Sequence, residues 1–194
     1  LFKEFGVKRG LRDVDGTGVL AGISNISRID AFKTEDGKKV PCDGQLWYRG
    51  YNVIDLIHGF EGKRFGFEEV AYLLLFGELP DAAKLGAFKS MLEECRQLPT
   101  NFTRDVIMKA PSKDIMNSLT RSVLTLASYD ETIADQELHT QLEQCIKLIS
   151  VFPMLAVYGY HAYNHYICDD SLYIHRPQEG LSAAENLLLM LRPD

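Results

Sequence analysis

The 194-residue sequence predicts a mainly α-helical fold with a small β-rich section at its N-terminus. Three observations carry that expectation. From residue 52 onward apolar residues recur at helical spacing in one segment after another. Helix start and stop signals stand at the edges of those segments. Residues 1–51, by contrast, hold turn dipeptides between short branched or aromatic runs. The expected organisation is a β-rich or irregular section over 1–51 and a helical section over 52–194.

In chain order, Ile23, Ile26 and Ile29 sit among polar residues and give a weak strand signal. TEDGKK reads as a turn, because Asp36-Gly37 suits positive φ. Val40 to Gly44, VPCDG, reads as a second turn before LWY, whose aromatic content favours a strand. The stretch LWYRGYNVIDL (46–56) is then a strand-to-helix joint. Asn52 serves as N-cap for a short helix through Ile57, Gly50 gives the joint freedom, and Trp47 and Tyr51 are expected to bury apolar area around it. Arg49 is placed to stack on an aromatic ring or to pair with a helix C-terminus.

Phe67 to Phe76 has its acids in the first turn, Gly77 at its exit and apolar residues nearly all round, as in a deeply buried helix. Residues 81–97 place Leu85, Phe88, Leu92 and Cys95 on one face. Thr103 is expected to cap a short helix through Met108. Residues 113–128 align Ile115, Leu119, Val123 and Leu126. The longest segment, about 136–166, contains Pro153, which should kink or split it. Ser182 and Glu185 form the S-x-x-E capping box ahead of LLLML.

Composition sets limits. The formal charge of −6, from 21 basic and 27 acidic residues, disfavours a general nucleic-acid or anionic-membrane binder. No run of about 20 apolar residues stands out as a membrane span. The cysteines, Cys42, Cys95, Cys145 and Cys168, form no close pair, which points to a reduced, cytoplasmic setting and to no zinc or redox motif. The chain starts without Met and stops just past an apolar run, so it reads as a piece of a longer protein.

Several motifs fail on context. Gly16, Gly18 and Ala21 match G-x-G-x-x-A, but no apolar strand precedes them and no helix follows. The same stretch starts D-x-D at Asp13 and Asp15, but a calcium loop beginning at Asp13 would need Glu where Ser24 stands. His161 and His165 have the i, i+4 spacing of zinc ligands without the HExxH glutamate, so ordinary helix histidines are the plainer reading. His175-Arg176 reads as a solvated loop or an anion site. Lys3, Lys8, Arg9 and Arg12 against Glu4 make the first twelve residues basic, either as a solvated terminus or as an arm for a phosphate or an acidic surface.

GQLWYRGYNVIDL (44–56), FEEVAYLLLFGELP (67–80), DIMNSLTRSVLTL (114–126), LISVFPMLAVYGY (148–160) and LSAAENLLLML (181–191), in this order, resemble the N-terminal part of bacterial citrate synthases. Asp114-Ile115-Met116 stands where that family often has His-Pro-Met, and residues 30–43 look longer than in many members. The resemblance implies the helical large domain of a homodimeric enzyme that condenses oxaloacetate with acetyl-CoA and hydrolyses the thioester. In that chemistry an Asp takes a methyl proton, a His polarises the thioester carbonyl, and a second His with arginines holds oxaloacetate. No cofactor or metal is implied, acetyl-CoA being a substrate. The family keeps those groups in later H-[AS]-[DE]-H, G-P-x-H-G and G-x-G-H motifs, which do not occur here, so no catalytic residue falls in this span. Arg9-Gly10-Leu11 fits the R-G-[LM] context of an arginine that meets a CoA phosphate across the dimer, which makes Arg9 the one substrate-binding residue implied. A 2-methylcitrate synthase using propionyl-CoA and a non-catalytic helical interaction module remain alternatives.

Overall fold

The computed structural model describes residues 1–192; Pro193 and Asp194, the end of the expected helical section, lie outside the described residues. In chain order come β1 (Ser27–Glu35), β2 (Lys38–Tyr48), β3 (Tyr51–Asn52), α1 (Val53–Gly59), α2 (Gly66–Phe76), α3 (Ala82–Glu94), a π turn (Thr103–Ile107), α4 (Ile115–Ala127), α5 (Leu138–Cys168) and α6 (Ala183–Leu191). The fold is mainly helical, as expected. Two compact units divide it: Leu1–Gly66 with Val70–Leu79, and Phe67–Glu69 with Pro80–Asp194.

The first unit is organised by an antiparallel sheet of order β1-β2-β3. Asp36 and Gly37 join β1 to β2 at φ 50° and 73°, the twist that a two-residue hairpin needs. VPCDG is not the second turn expected from its composition; it lies inside β2. The register runs Asp30↔Gln45 and then Phe32↔Pro41, so β2 carries two more residues than β1 across this stretch. Pro41 has no N–H to give a ladder, and the bulge absorbs the turn-forming residues without reversing the chain.

Tyr48 pairs with Tyr51, leaving Arg49 and Gly50 as a second two-residue loop at φ 49° and 90°. Arg49 is held there from both ends. Its backbone N–H donates to the Ile26 carbonyl at 2.8 Å. Its guanidinium donates from Nε (3.2 Å) and Nη2 (2.8 Å) to the Leu74 carbonyl, and from Nη1 to Asn25 Oδ1 at 3.2 Å. Leu74 lies in the last turn of α2, where carbonyls lack intrahelical partners. Of the two roles expected for Arg49, the structure selects pairing with a helix C-terminus. Gly77 completes that end at φ 85°, its N–H on the Leu73 carbonyl. Trp47 is half-buried beneath the Arg28 guanidinium, whereas Tyr51 is exposed, contrary to expectation.

Asn52 caps α1 as expected, accepting from the Ile54 N–H at 2.9 Å. Leu56 is buried but Ile57 is exposed, so the apolar face is narrower than its sequence suggests. In α2, Leu73 is fully buried, yet Phe67 and Phe76 are exposed; the deeply buried helix expected here is buried on one side only.

The second unit is built on α5. Helices α3, α4, α6 and the π turn all pack against it. The core joins Leu119 and Leu126 of α4, Val151, Met154, Leu155, Val157 and Tyr158 of α5, Met190 of α6, and Phe102 and Ile107 around the π turn. Ser118 and Ser122 are buried on α4, while Ile115 and Val123 are only half-buried. A Cβ added at Gly159 would stand 3.6 Å from Ser118 Cβ, so small residues let α4 and α5 approach closely. Ser122 and Ser150 can be buried because each hydroxyl donates to the carbonyl four residues back, at 2.8 Å.

Three expectations need correction. Of the kink or split expected at Pro153, the split is absent: α5 runs unbroken for 31 residues; the missing N–H costs the Ile149 carbonyl its partner, and packing by four other elements holds the helix together. α5 is also long and apolar enough, by length and composition, to cross a membrane, although 56% of its most apolar window is buried inside the structure. Its scattered Ser, Tyr and His residues hid this by interrupting every apolar run. Finally, Thr103 caps nothing: it opens a π turn that the Met108 N–H closes on the Thr103 carbonyl.

Two further helices have side-chain caps at their N-termini. Asp81 accepts from the Lys84 N–H at 2.8 Å, and Asp114 from the Asn117 N–H at 3.0 Å. The Ser182–Glu185 capping box is present as expected. The Ala183 N–H beside it also donates to buried Glu68 Oε1 at 2.7 Å.

Replacing Arg49 tests the joint. Arg49→Ala leaves the Leu74 carbonyl half-buried without its two donors, and should lower stability by about 1–3 kcal/mol. Arg49→Lys should recover only part, since an ammonium cannot reproduce the fork. Urea unfolding followed by Trp47 fluorescence measures both; equal midpoints for wild type and Arg49→Ala would contradict the capping role.

Candidate functional site

Three places carry the functional residues read from the sequence. The first is the segment around Arg9. It is a closed loop: the Lys8 N–H donates to the Leu20 carbonyl at 3.0 Å, the Asp13 N–H to the Thr17 carbonyl at 2.8 Å, and Arg12 bridges Gly18. Lys8 pairs with Asp13, and Arg12 Nη1 donates to the Gly16 carbonyl at 3.0 Å. Asp15 accepts from the Thr17 hydroxyl and N–H at 2.6 and 2.9 Å. Two of the four cations of the basic segment are therefore engaged in holding the loop. Arg9 is exposed, with no side-chain hydrogen bond or ion pair among the described residues.

The second place is the pair His161 and His165 on α5. They are not presented together to a ligand. His161 is buried, with Nε2 2.9 Å from the Met190 carbonyl, which ties α6 to α5. His165 Nδ1 lies 2.8 Å from the Asp170 carbonyl at the C-terminal end of the helix. Among the described residues no group of three or more His, Cys, Asp or Glu could hold a metal. The zinc reading of this spacing has no third ligand to call on. His58 and His139 lie on the surface beside Glu61 and Glu143.

The third place is His175-Arg176. The Tyr158 hydroxyl donates to the His175 carbonyl at 2.8 Å, fixing the extended segment against α5. Burial pushes the Tyr158 hydroxyl's pKa up, opposed by the positive charge of Arg176. Arg176 borders an open cleft of about 660 Å³ that also receives Arg96 and Arg104. Neither of those arginines was singled out in the sequence. They lie some 70–80 residues before Arg176, and no local pattern links them.

Against known proteins, the family model described as "Citrate synthase, C-terminal domain" matches residues 11–194. The chain belongs to the citrate synthase family. Arg9 and Gly10 precede the matched span. The citrate synthase of Haloferax volcanii is 31% identical over an alignment covering 95% of this chain and 43% of that protein. A 2-methylcitrate synthase of Shewanella oneidensis is 34% identical over 115 residues, 59% of this chain and 28% of that one. The crystal structure of citrate synthase from Pyrobaculum aerophilum superposes with a TM-score of 0.71 at 25% identity, covering 97% of this chain and 46% of the other. The Thermoplasma acidophilum citrate synthase in ternary complex with carboxymethyl coenzyme A and oxaloacetate has a TM-score of 0.72 at 21% identity and shares the fold. In each case the match spans less than half of the relative's length.

Acid should open the Arg9 loop. Lys8 beside Asp13, and Thr17 on Asp15, hold both carboxyls below the usual carboxylate range. A depressed folded pKa stabilises the loop fully above the unfolded carboxylate value and loses that contribution as pH falls through the lowered values. The amide signals of Gly16 and Thr17 should therefore shift towards unfolded-chain positions below about pH 4 while α5 signals stay in place. Simultaneous loss of both sets would contradict a local effect.

Proposed function

We propose that this chain is the N-terminal part of a citrate synthase-type acyltransferase that condenses oxaloacetate with acetyl-CoA, giving citrate and free CoA. The observation that carries the reading is the family match over residues 11–194, together with relatives named for this activity. In the reaction a carboxylate removes a methyl proton from acetyl-CoA and the resulting enol attacks the oxaloacetate carbonyl carbon. Water then cleaves the thioester and releases CoA as the thiol. The fragment itself is inactive in this reading. G-P-x-H-G and G-x-G-H are absent from the 194 residues, and His161 and His165 of α5 are committed to backbone carbonyls. The span supplies scaffold; the reacting groups stand beyond it.

The parent enzyme is a cytoplasmic homodimer. Met116 and Leu124, each 68% exposed on α4, support a second copy docking on that helix. Arg9 meets a CoA phosphate across the dimer. Its exposed guanidinium, without a side-chain partner among the described residues, supports that role, since a bidentate arginine suits a phosphate. The 2-methylcitrate reading keeps one specific observation in its favour, the 34% identity to the Shewanella enzyme. In that case propionyl-CoA replaces acetyl-CoA.

The test follows thiol release from acetyl-CoA and from propionyl-CoA with oxaloacetate, using protein from the longest reading frame containing this chain. Turnover of one acyl-CoA is expected, and the faster substrate decides between the two activities. No release with either would sink the proposal. In the same protein Arg9→Ala should raise KM for the acyl-CoA about tenfold with little change in kcat. An unchanged KM removes Arg9 from the site.

A further inference from the structure

We propose that the cleft between the 96–104 loop and the Arg176-Pro177 segment is a binding site for a small, multiply charged anion, a polycarboxylate or a polyphosphate. It uses none of the groups that the condensation needs, so it stands or falls separately from that reading.

The cleft's volume, about 660 Å³, is within the range of small-molecule sites. Its charge is one-signed: Arg96, Arg104 and Arg176 line it and no acid among the described residues does, in a chain whose net charge is −6. Asp105 forks Arg104 at 2.7 and 2.9 Å and so largely neutralises it. Arg96 and Arg176 have no such partner: neither side chain makes a hydrogen bond or ion pair among the described residues. Arg96 is moreover half-buried, where an unanswered guanidinium costs stability. Two cations converging on one space without a counter-charge is an arrangement that an anion relieves.

The walls are fixed in advance. Phe102, Met154 and Tyr158 line the cleft and are buried in the core. The Tyr158 hydroxyl is occupied by the His175 carbonyl, which sets the position of the residue just before Arg176. Thr100, Asn101 and Thr103 add neutral donors along the facing wall, with Asn101 held at φ 62° where the loop turns into the π turn. Two guanidiniums flanked by hydroxyl and amide donors suit a ligand carrying at least two negative groups. A singly charged or apolar ligand would leave one arginine unanswered.

Calorimetric titration of the 194-residue chain at low ionic strength tests this, with inorganic pyrophosphate and tricarballylate as the two probes. Saturable one-site binding of at least one probe is expected, and the probe that binds names the anion class. Arg96→Gln and Arg176→Gln should each weaken it about tenfold. Arg28→Gln, on the sheet, should leave it unchanged. Amide signals of Asn101 and Arg176 in the wild-type chain should move on titration, a readout that does not depend on any variant folding. Absence of saturable binding by both probes, an affinity indifferent to both cleft substitutions, an equal loss in Arg28→Gln, or signals that move only elsewhere would each overturn the proposal.

Discussion

The second unit depends on the burial of α5 on several sides at once. Along its middle, Ser150, Val151, Met154, Leu155, Val157, Tyr158, His161 and Ala162 are all buried, and four other elements supply the cover. A helix of 31 residues, about 46 Å long, would not hold a proline in its interior on propensity alone. Here the lost hydrogen bond at Pro153 is outweighed by the apolar area that Val151, Met154 and Leu155 remove from water on either side of it. The polar residues on the buried face follow the same logic. Ser150 satisfies itself on its own helix, and His161 is answered by the end of α6. Burial of these groups is tolerable only because each has its partner.

In the first unit the corresponding constraint is a single side chain. Arg49 occupies a left-handed position that favours glycine or asparagine, and its guanidinium closes the last turn of α2. The strain of that backbone is offset by charge-assisted bonds to a carbonyl that the helix itself cannot satisfy. This explains an arginine, followed by the glycine that completes the turn, next to the chain's only tryptophan. The residue is a fastening between strand and helix, and chemistry is not asked of it.

What was legible in the sequence is what local physics decides. Asp36-Gly37, Asn52, Gly77 and the Ser182–Glu185 box each encode a turn or helix end within a few residues, and each stands where expected. Signals that tertiary contacts override were misread. VPCDG has the composition of a turn, but pairing with β1 holds it in a bulged strand. Pro153 has the local meaning of a break, but packing keeps α5 whole. Val123 was aligned with the core face of α4, yet it is only half-buried, while the small Ser118 is what stands against Gly159. Asp81 and Asp114 are caps of the same local kind, each an Asp standing directly before its helix. The arginine cleft was not legible, since its parts come from segments far apart and meet only through the fold.

The most direct test of this account is native-state hydrogen exchange on the 194-residue chain. Amides of residues 150–162 should exchange only through the slowest opening of the second unit, more slowly than those of α3, α4 and α6, because every other element there opens without uncovering the whole core. Faster exchange in α5 than in α4 would contradict the claim that the unit is built on α5.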